Sequence, residues 1–179
     1  MEIRKISDSD TIEKHLRKST ELNLYQIGDL DEFFRKYTIW FGCYKEKNLK
    51  QIAMLYSGTG LTVLIALCDR DLNEMKYLLN EIKKELPDKL YSHLSIGLSE
   101  TLEKENRLTF YGRYLKMTLS RKNFSIQNGS NYEPDKNIRR LSVSEIEQIQ
   151  NFYKESYPDN WFDKRMLETG KYFGYFKEE

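Results

Sequence analysis

The chain has 179 residues and a mass of 21.5 kDa, with 39% hydrophobic and 32% charged side chains, enough for one ordinary domain or a small domain with an appendage. Its 29 basic and 28 acidic residues leave a net charge of +1, which argues against a broad nucleic-acid footprint, and two cysteines make neither a disulfide framework nor a zinc site. The longest apolar run, Val63–Leu67, falls far short of the roughly 20 residues that cross a bilayer, and no apolar stretch follows Met1–Ser7 as in a signal peptide, so a cytoplasmic protein that does not enter membranes is expected.

Ile3–Ile6 alternates apolar and polar residues and predicts a strand. Ser7–Asp10 supplies N-caps for a helix through Ile12 and Leu16, and Leu24–Phe34, with Gly28 and two aspartates, predicts a short or broken helix. Ile39–Tyr44 and Leu49–Tyr56 read as strands around a charged turn. Ser57–Gly60 is a hairpin signal leading into the apolar strand Leu61–Leu67. Leu72, Met75, Leu79, Ile82 and Leu86 then form one helical stripe, capped by Asp69 or Asp71 with Glu74 and stopped by Pro87. Tyr91–Ile96 predicts a strand, Ser99–Asn106 a short helix, and Leu108–Leu119 one long strand or two. The strand, helix, strand unit from Leu61 to Ile96 requires a right-handed crossover and a parallel pair. Residues 1–122 are therefore expected to form an α/β (α+β) domain with a mixed, mostly antiparallel central sheet flanked by helices.

Residues 123–136 are polar, contain glycine and proline, and read as a linker. Beyond them the sequence repeats itself. Ile138–Ser142 echoes Ile3–Ser7, and Tyr172–Glu178 echoes Trp40–Glu46, at offsets of 135 and 132 residues. Residues 137–179 thus read as an incomplete second domain, holding counterparts of the first strand, the helical pair and the second strand. Either the chain is a piece of a longer protein, or this copy completes itself by docking on the first copy or on another chain, for example as a homodimer through the strand Lys171–Lys177.

The element order resembles that of the GNAT acyltransferase superfamily, and Leu24–Gly42 is similar to the amino-terminal half of two-domain GNAT proteins, in which a degenerate domain precedes an active one. The resemblance implies N-acyl transfer, typically from acetyl-CoA to a small-molecule or protein amine. Family members hold the coenzyme's pyrophosphate on an Arg/Gln-x-x-Gly-x-Gly/Ala turn ahead of the long helix, where glycine admits the phosphates and the helix N-terminus favours the anion. Here that junction reads Ala66-Leu67-Cys68-Asp69-Arg70-Asp71-Leu72, with no glycine and two carboxylates. Each carboxylate at this range opposes a phosphate by about 1 kcal/mol or more, so this domain is expected to bind acetyl-CoA poorly and the chain to lack turnover alone.

In GNAT enzymes the region between the first two helices lines the acceptor side. The resemblance therefore implies Tyr157, Asn160 and Trp161 as an aromatic wall with polar handles in the second copy. The alternative is that Trp161 and Phe162 pack the helical pair onto the sheet. Cys68, at the end of the apolar strand, and Cys43 read as structural thiols, because no motif joins either to His15 or His93. His93 reads as a hydrogen-bonded or exposed strand residue, and His15 as solvent-facing. Asp29, Asp31 and Glu32 read as caps and solvated charges without matching metal ligands. Arg121-Lys122 and Arg139-Arg140 are too short for a nucleic-acid tract. No catalytic, cofactor-binding or metal residue is assigned. A non-catalytic assembly module of the same fold is the second reading; single-stranded RNA binding through the tyrosines fits poorly with the balanced charge.

Overall fold

A computed structural model describes residues 1–103, 108–118, 136–156 and 162–177. The chain divides into two units, Met1–Ser120 and Arg121–Glu179.

The first unit is a mixed α/β structure. β1 (Glu2–Lys5) leads to α1 (Ser9–Leu16), where Asp8 caps the helix by accepting the Thr11 N–H at 3.1 Å. After a 3₁₀ turn come α2 (Leu24–Gly28) and α3 (Glu32–Arg35), the broken helix that Gly28 and the aspartates predict. β2 (Thr38–Lys45), β3 (Asn48–Tyr56) and β4 (Thr62–Ala66) form an antiparallel meander. α4 (Leu72–Ile82) then carries the chain over to β5 (Leu90–Leu94), and α5 (Ser99–Glu103) follows. The sheet order is β1-β2-β3-β4-β5, antiparallel throughout except for the parallel pair β4–β5.

Strand alternation divides the core into two layers. Phe41, Cys43, Ala53, Leu55, Leu64 and Ala66 face α4 and its Met75, Leu78, Leu79 and Ile82. Trp40, Ile52, Met54, Tyr56 and Ile65 point the other way, onto Ile12 and Leu16 of α1. Both faces of β2 and β3 are covered, which is why these strands read as near-continuous apolar runs.

Three expectations fail here. Residues 108–118 form no strand, although one or two were expected over Leu108–Leu119. Gly112, at φ +140°, breaks the pleat, and Phe110 and Leu115 stay exposed. Asp71 occupies the N-cap position of α4 but lies in the left-handed region (φ 55°, ψ 47°), and its side chain makes no capping bond; the box with Glu74 does not form. A capping side chain needs extended backbone, which Asp71 lacks. Finally, the α-helical hydrogen bonding of α4 stops at Ile82, and a 3₁₀ turn over Lys83–Glu85 brings Leu86 onto the core. Almost the whole expected linker 123–136 lies outside the described residues.

The second unit has β6 (Ile138–Arg140), α6 (Ile146–Ser156), a 3₁₀ segment Lys164–Thr169 and β7 (Phe173–Tyr175). β6 and β7 pair antiparallel with Ile138 opposite Tyr175, Arg139 opposite Gly174 and Arg140 opposite Phe173. In the first unit Ile3 faces Cys43, Arg4 faces Gly42 and Lys5 faces Phe41. These are the same pairs at the offsets seen in the sequence. The match continues past the ladder: Ile6 N–H donates to Trp40 C=O at 2.9 Å, and Leu141 N–H donates to Tyr172 C=O at 2.9 Å. A Cβ on Gly42 would collide with Ile6 and Tyr44; one on Gly174 would collide with their counterparts Leu141 and Phe176. Asp31 accepts the Phe33 N–H at 3.0 Å, and Asp163, 132 positions later, accepts the Arg165 N–H at 2.9 Å.

Candidate functional site

In open sheets, ligands dock outside the carboxyl ends of parallel strands, which here means the end of the β4–β5 pair and the start of α4. The pair runs in register from Thr62 opposite Leu90 to Ala66 opposite Leu94, and Ser95 N–H extends it to Ala66 C=O at 3.1 Å. Ser95 Oγ then accepts the Cys68 N–H and donates to the Cys68 C=O, both at 2.9 Å. Gln51 Nε2 donates to the Arg70 C=O at 3.0 Å, and Ser19 Oγ donates to Asp69 at 2.8 Å. The turn between β4 and α4 is thereby tied to β5, β3 and the end of α1.

Beside this turn lies a cleft of about 700 Å³, walled by α1, the start of β3 and the β4–α4 turn. The expected anionic crevice is corrected by its lining. Lys14, Lys18, Lys47, Lys50 and Arg70 outnumber Asp69 and Asp71, and none of the four lysines pairs with a described carboxylate. Asp69 is occupied by Ser19 and lies 4.0 Å from Arg70.

His15 lines this cleft rather than facing open solvent, as the sequence suggested. Burial, reinforced by the Lys18 charge, lowers its pKa to about 4, so the imidazole is neutral at pH 7. Asp29 is likewise not a solvated charge: burial alone raises its carboxyl to about 6. Asp31 does cap α3. The Cys68 thiol is raised chiefly by burial, with Asp69 and Asp71 adding and Ser95 opposing. Cys43 is fully buried, and its thiol is raised by burial first and Glu74 second. Neither thiol has the depressed pKa of a nucleophile. His93 packs edge-on against Tyr91 at 5.1 Å, and burial, then Lys116, lowers its pKa.

Tyr157, Asn160 and Trp161 lie outside the described residues. Gln26, which is not among the residues lining the cleft, is a buried polar group that pattern reading missed: both its amide atoms lack partners among the described residues. Its position between Tyr25 and Ile27 on a five-residue helix gives no periodic signal that could have marked it. Among the described residues no group of His, Cys, Asp and Glu could hold a metal ion, and no helix is long and apolar enough to cross a membrane.

The turn departs from a coenzyme-diphosphate cradle in its residues and in one of its backbone groups. A cradle of that kind needs free N–H groups on a turn that phosphates can approach. Here the Cys68 N–H is already bonded, no glycine opens the turn, and Asp71 projects a Cβ and a carboxylate from a left-handed residue.

No family model matches the chain, and no curated protein matches it. Among solved structures, a probable acetyltransferase is similar at 15% identity, with a TM-score of 0.42 over 67% of this chain and 99% of the other. A ribosomal-protein-alanine N-acetyltransferase from Brucella melitensis biovar Abortus 2308 is similar at 12% identity, with a TM-score of 0.41 over 66% and 99%.

Proposed function

We propose that the chain is a homologue of GNAT-type N-acyltransferases: a degenerate first domain followed by a second unit that repeats its first elements, without turnover of its own. The parent reaction moves an acetyl group from acetyl-CoA to a small-molecule or protein amine. The observation that carries the proposed loss of activity is the β4–α4 turn itself, which lacks glycine and enters α4 through Asp71 in the left-handed region. The cleft lysines supply attraction for anions, but long surface side chains give a weak, salt-screened field in place of an oriented backbone cradle. The element order, with an antiparallel meander ending in a parallel crossover through α4, supports the family reading.

Incubation of the full chain with acetyl-CoA and a panel of primary amines tests this reading by release of free coenzyme A thiol. The expected result is release no faster than in protein-free controls. Amine-dependent release above that background overturns the inactive reading.

The second reading, a non-catalytic assembly module, is favoured by one observation: Phe173 and Tyr175 on the carboxyl-terminal strand are exposed. A homodimer through this strand is its simplest form, and light scattering on the full chain distinguishes dimer from monomer.

A further inference from the structure

Among the described residues, the second unit has one covered face and one exposed face. Tyr172 packs against Phe162 at 6.3 Å, and Phe162 stacks on Tyr153 at 5.0 Å, so the side of β7 toward α6 is covered. On the opposite side Phe173 and Tyr175 are 60% and 56% exposed, whereas their counterparts Phe41 and Cys43 are 1% and 0% exposed. The first unit shows what seals this face. There β3 pairs with β2, placing Ala53 opposite Phe41 and Gln51 opposite Cys43, and α4 covers both through Met75, Leu78, Leu79 and Ile82.

The second unit keeps the edge and the charge that such a cover needs. Tyr172 C=O and Phe176 N–H are bonded to the β6 side, so by strand alternation the backbone groups of Phe173 and Tyr175 point to the open edge. Lys5 packs on Phe41 at 5.6 Å and forms an ion pair with Glu85, in the turn that ends α4. Its counterpart Arg140 packs on Phe173 at 5.8 Å but pairs with no described carboxylate.

We propose that the second unit docks a protein segment built like residues 48–86 of this chain. A strand of that segment pairs antiparallel with the open edge of β7. An amphipathic helix further along lays its apolar stripe over Phe173 and Tyr175, and a carboxylate just past the helix end meets Arg140. The inference rests on the repeat within the reading above, and not on acyl transfer.

The test uses the isotopically labelled full chain and, as probe, a synthetic peptide of residues 48–86. Saturable shifts at Arg140, Phe173 and Tyr175 are expected, with a dissociation constant on the order of micromolar. Tyr175→Pro, which removes an outward N–H, weakens binding at least about tenfold. Glu85→Lys in the peptide weakens it about fivefold, and Arg140→Glu in the chain restores the loss. Should Tyr175→Pro disturb the fold, the charge exchange decides. No saturable shift up to about 1 mM, shifts confined to residues 1–120, or indifference to the charge exchange overturns the proposal. So does self-association through Phe173 and Tyr175 without peptide. Cross-strand contacts between Ile138 and Tyr175 separate the two levels: if they are missing, the repeat fails; if they are present without binding, only the docking inference fails.

Discussion

Ser95 Oγ sits between the N–H and the C=O of Cys68, 2.9 Å from each. One hydroxyl thus satisfies both backbone groups at the point where β4 leaves the sheet. Ser95→Ala strands both groups and is expected to cost about 1–3 kcal/mol in denaturant unfolding. The same variant gains no affinity for acetyl-CoA, because the carboxylates and the missing glycine remain. Unchanged stability would show that water replaces the hydroxyl without loss.

Gln26 offers the opposite case. Both polar atoms of its amide are buried without a partner among the described residues. Gln26→Met keeps the volume and removes the desolvation penalty, so stability should rise by about 1–3 kcal/mol. A loss on the same measurement would reveal a bridging water or a ligand that the amide serves.

His15 and Asp29 act in opposite directions over one pH range. His15, lowered from 6.5 to about 4 in the fold, binds fewer protons than in the unfolded chain, so its contribution is intact above pH 6.5 and is lost as pH falls toward 4. Asp29, raised from 3.8 to about 6, contributes below pH 3.8 and loses that contribution as pH rises through 6. Each shift corresponds to at most about 3 kcal/mol, and solvent screening at these half-buried sites reduces it to about 1–2 kcal/mol. His15→Gln should lose less stability than the wild type on acidification from pH 6.5 to 4. Asp29→Asn should lose more stability than the wild type over the same range. Parallel pH profiles of the two variants would contradict the assignment.

Gly42 and Gly174 hold the same place in their ladders but not the same burial. Gly42 is buried with Ile6, Leu49 and Tyr44 around it, whereas Gly174 is half-buried and crowded by Leu141 and Phe176. Gly42→Ala should cost about 1–3 kcal/mol, as overpacking does, and Gly174→Ala less than about 1 kcal/mol because its neighbours can move toward solvent. Thermal unfolding of both variants checks the contrast.

Most of the first unit was legible because its elements bury a face. The stripe Leu72, Met75, Leu79 and Ile82 and the runs of β2 to β4 carry their period openly, and the short echoes around Arg4 and Gly42 found a register that the ladders share. The segment 108–118 misled for the same reason in reverse: its aromatic residues look like a strand, but strand formation depends on a partner edge and a covered face. The site was less legible. Asp71 looks like a helix cap until its backbone angle is known, and the five cations of the cleft come from three separate stretches of chain. Ser95 carries no motif, because its role depends on the strand beside it.

The claim on which this account turns is that the turn from Leu67 to Leu72 cannot cradle a diphosphate. Isothermal titration of the full chain with acetyl-CoA at physiological salt measures this directly. The account predicts heats no larger than dilution, or binding weaker than about 1 mM that vanishes as salt is raised. A dissociation constant in the low micromolar range that persists at high salt would contradict it.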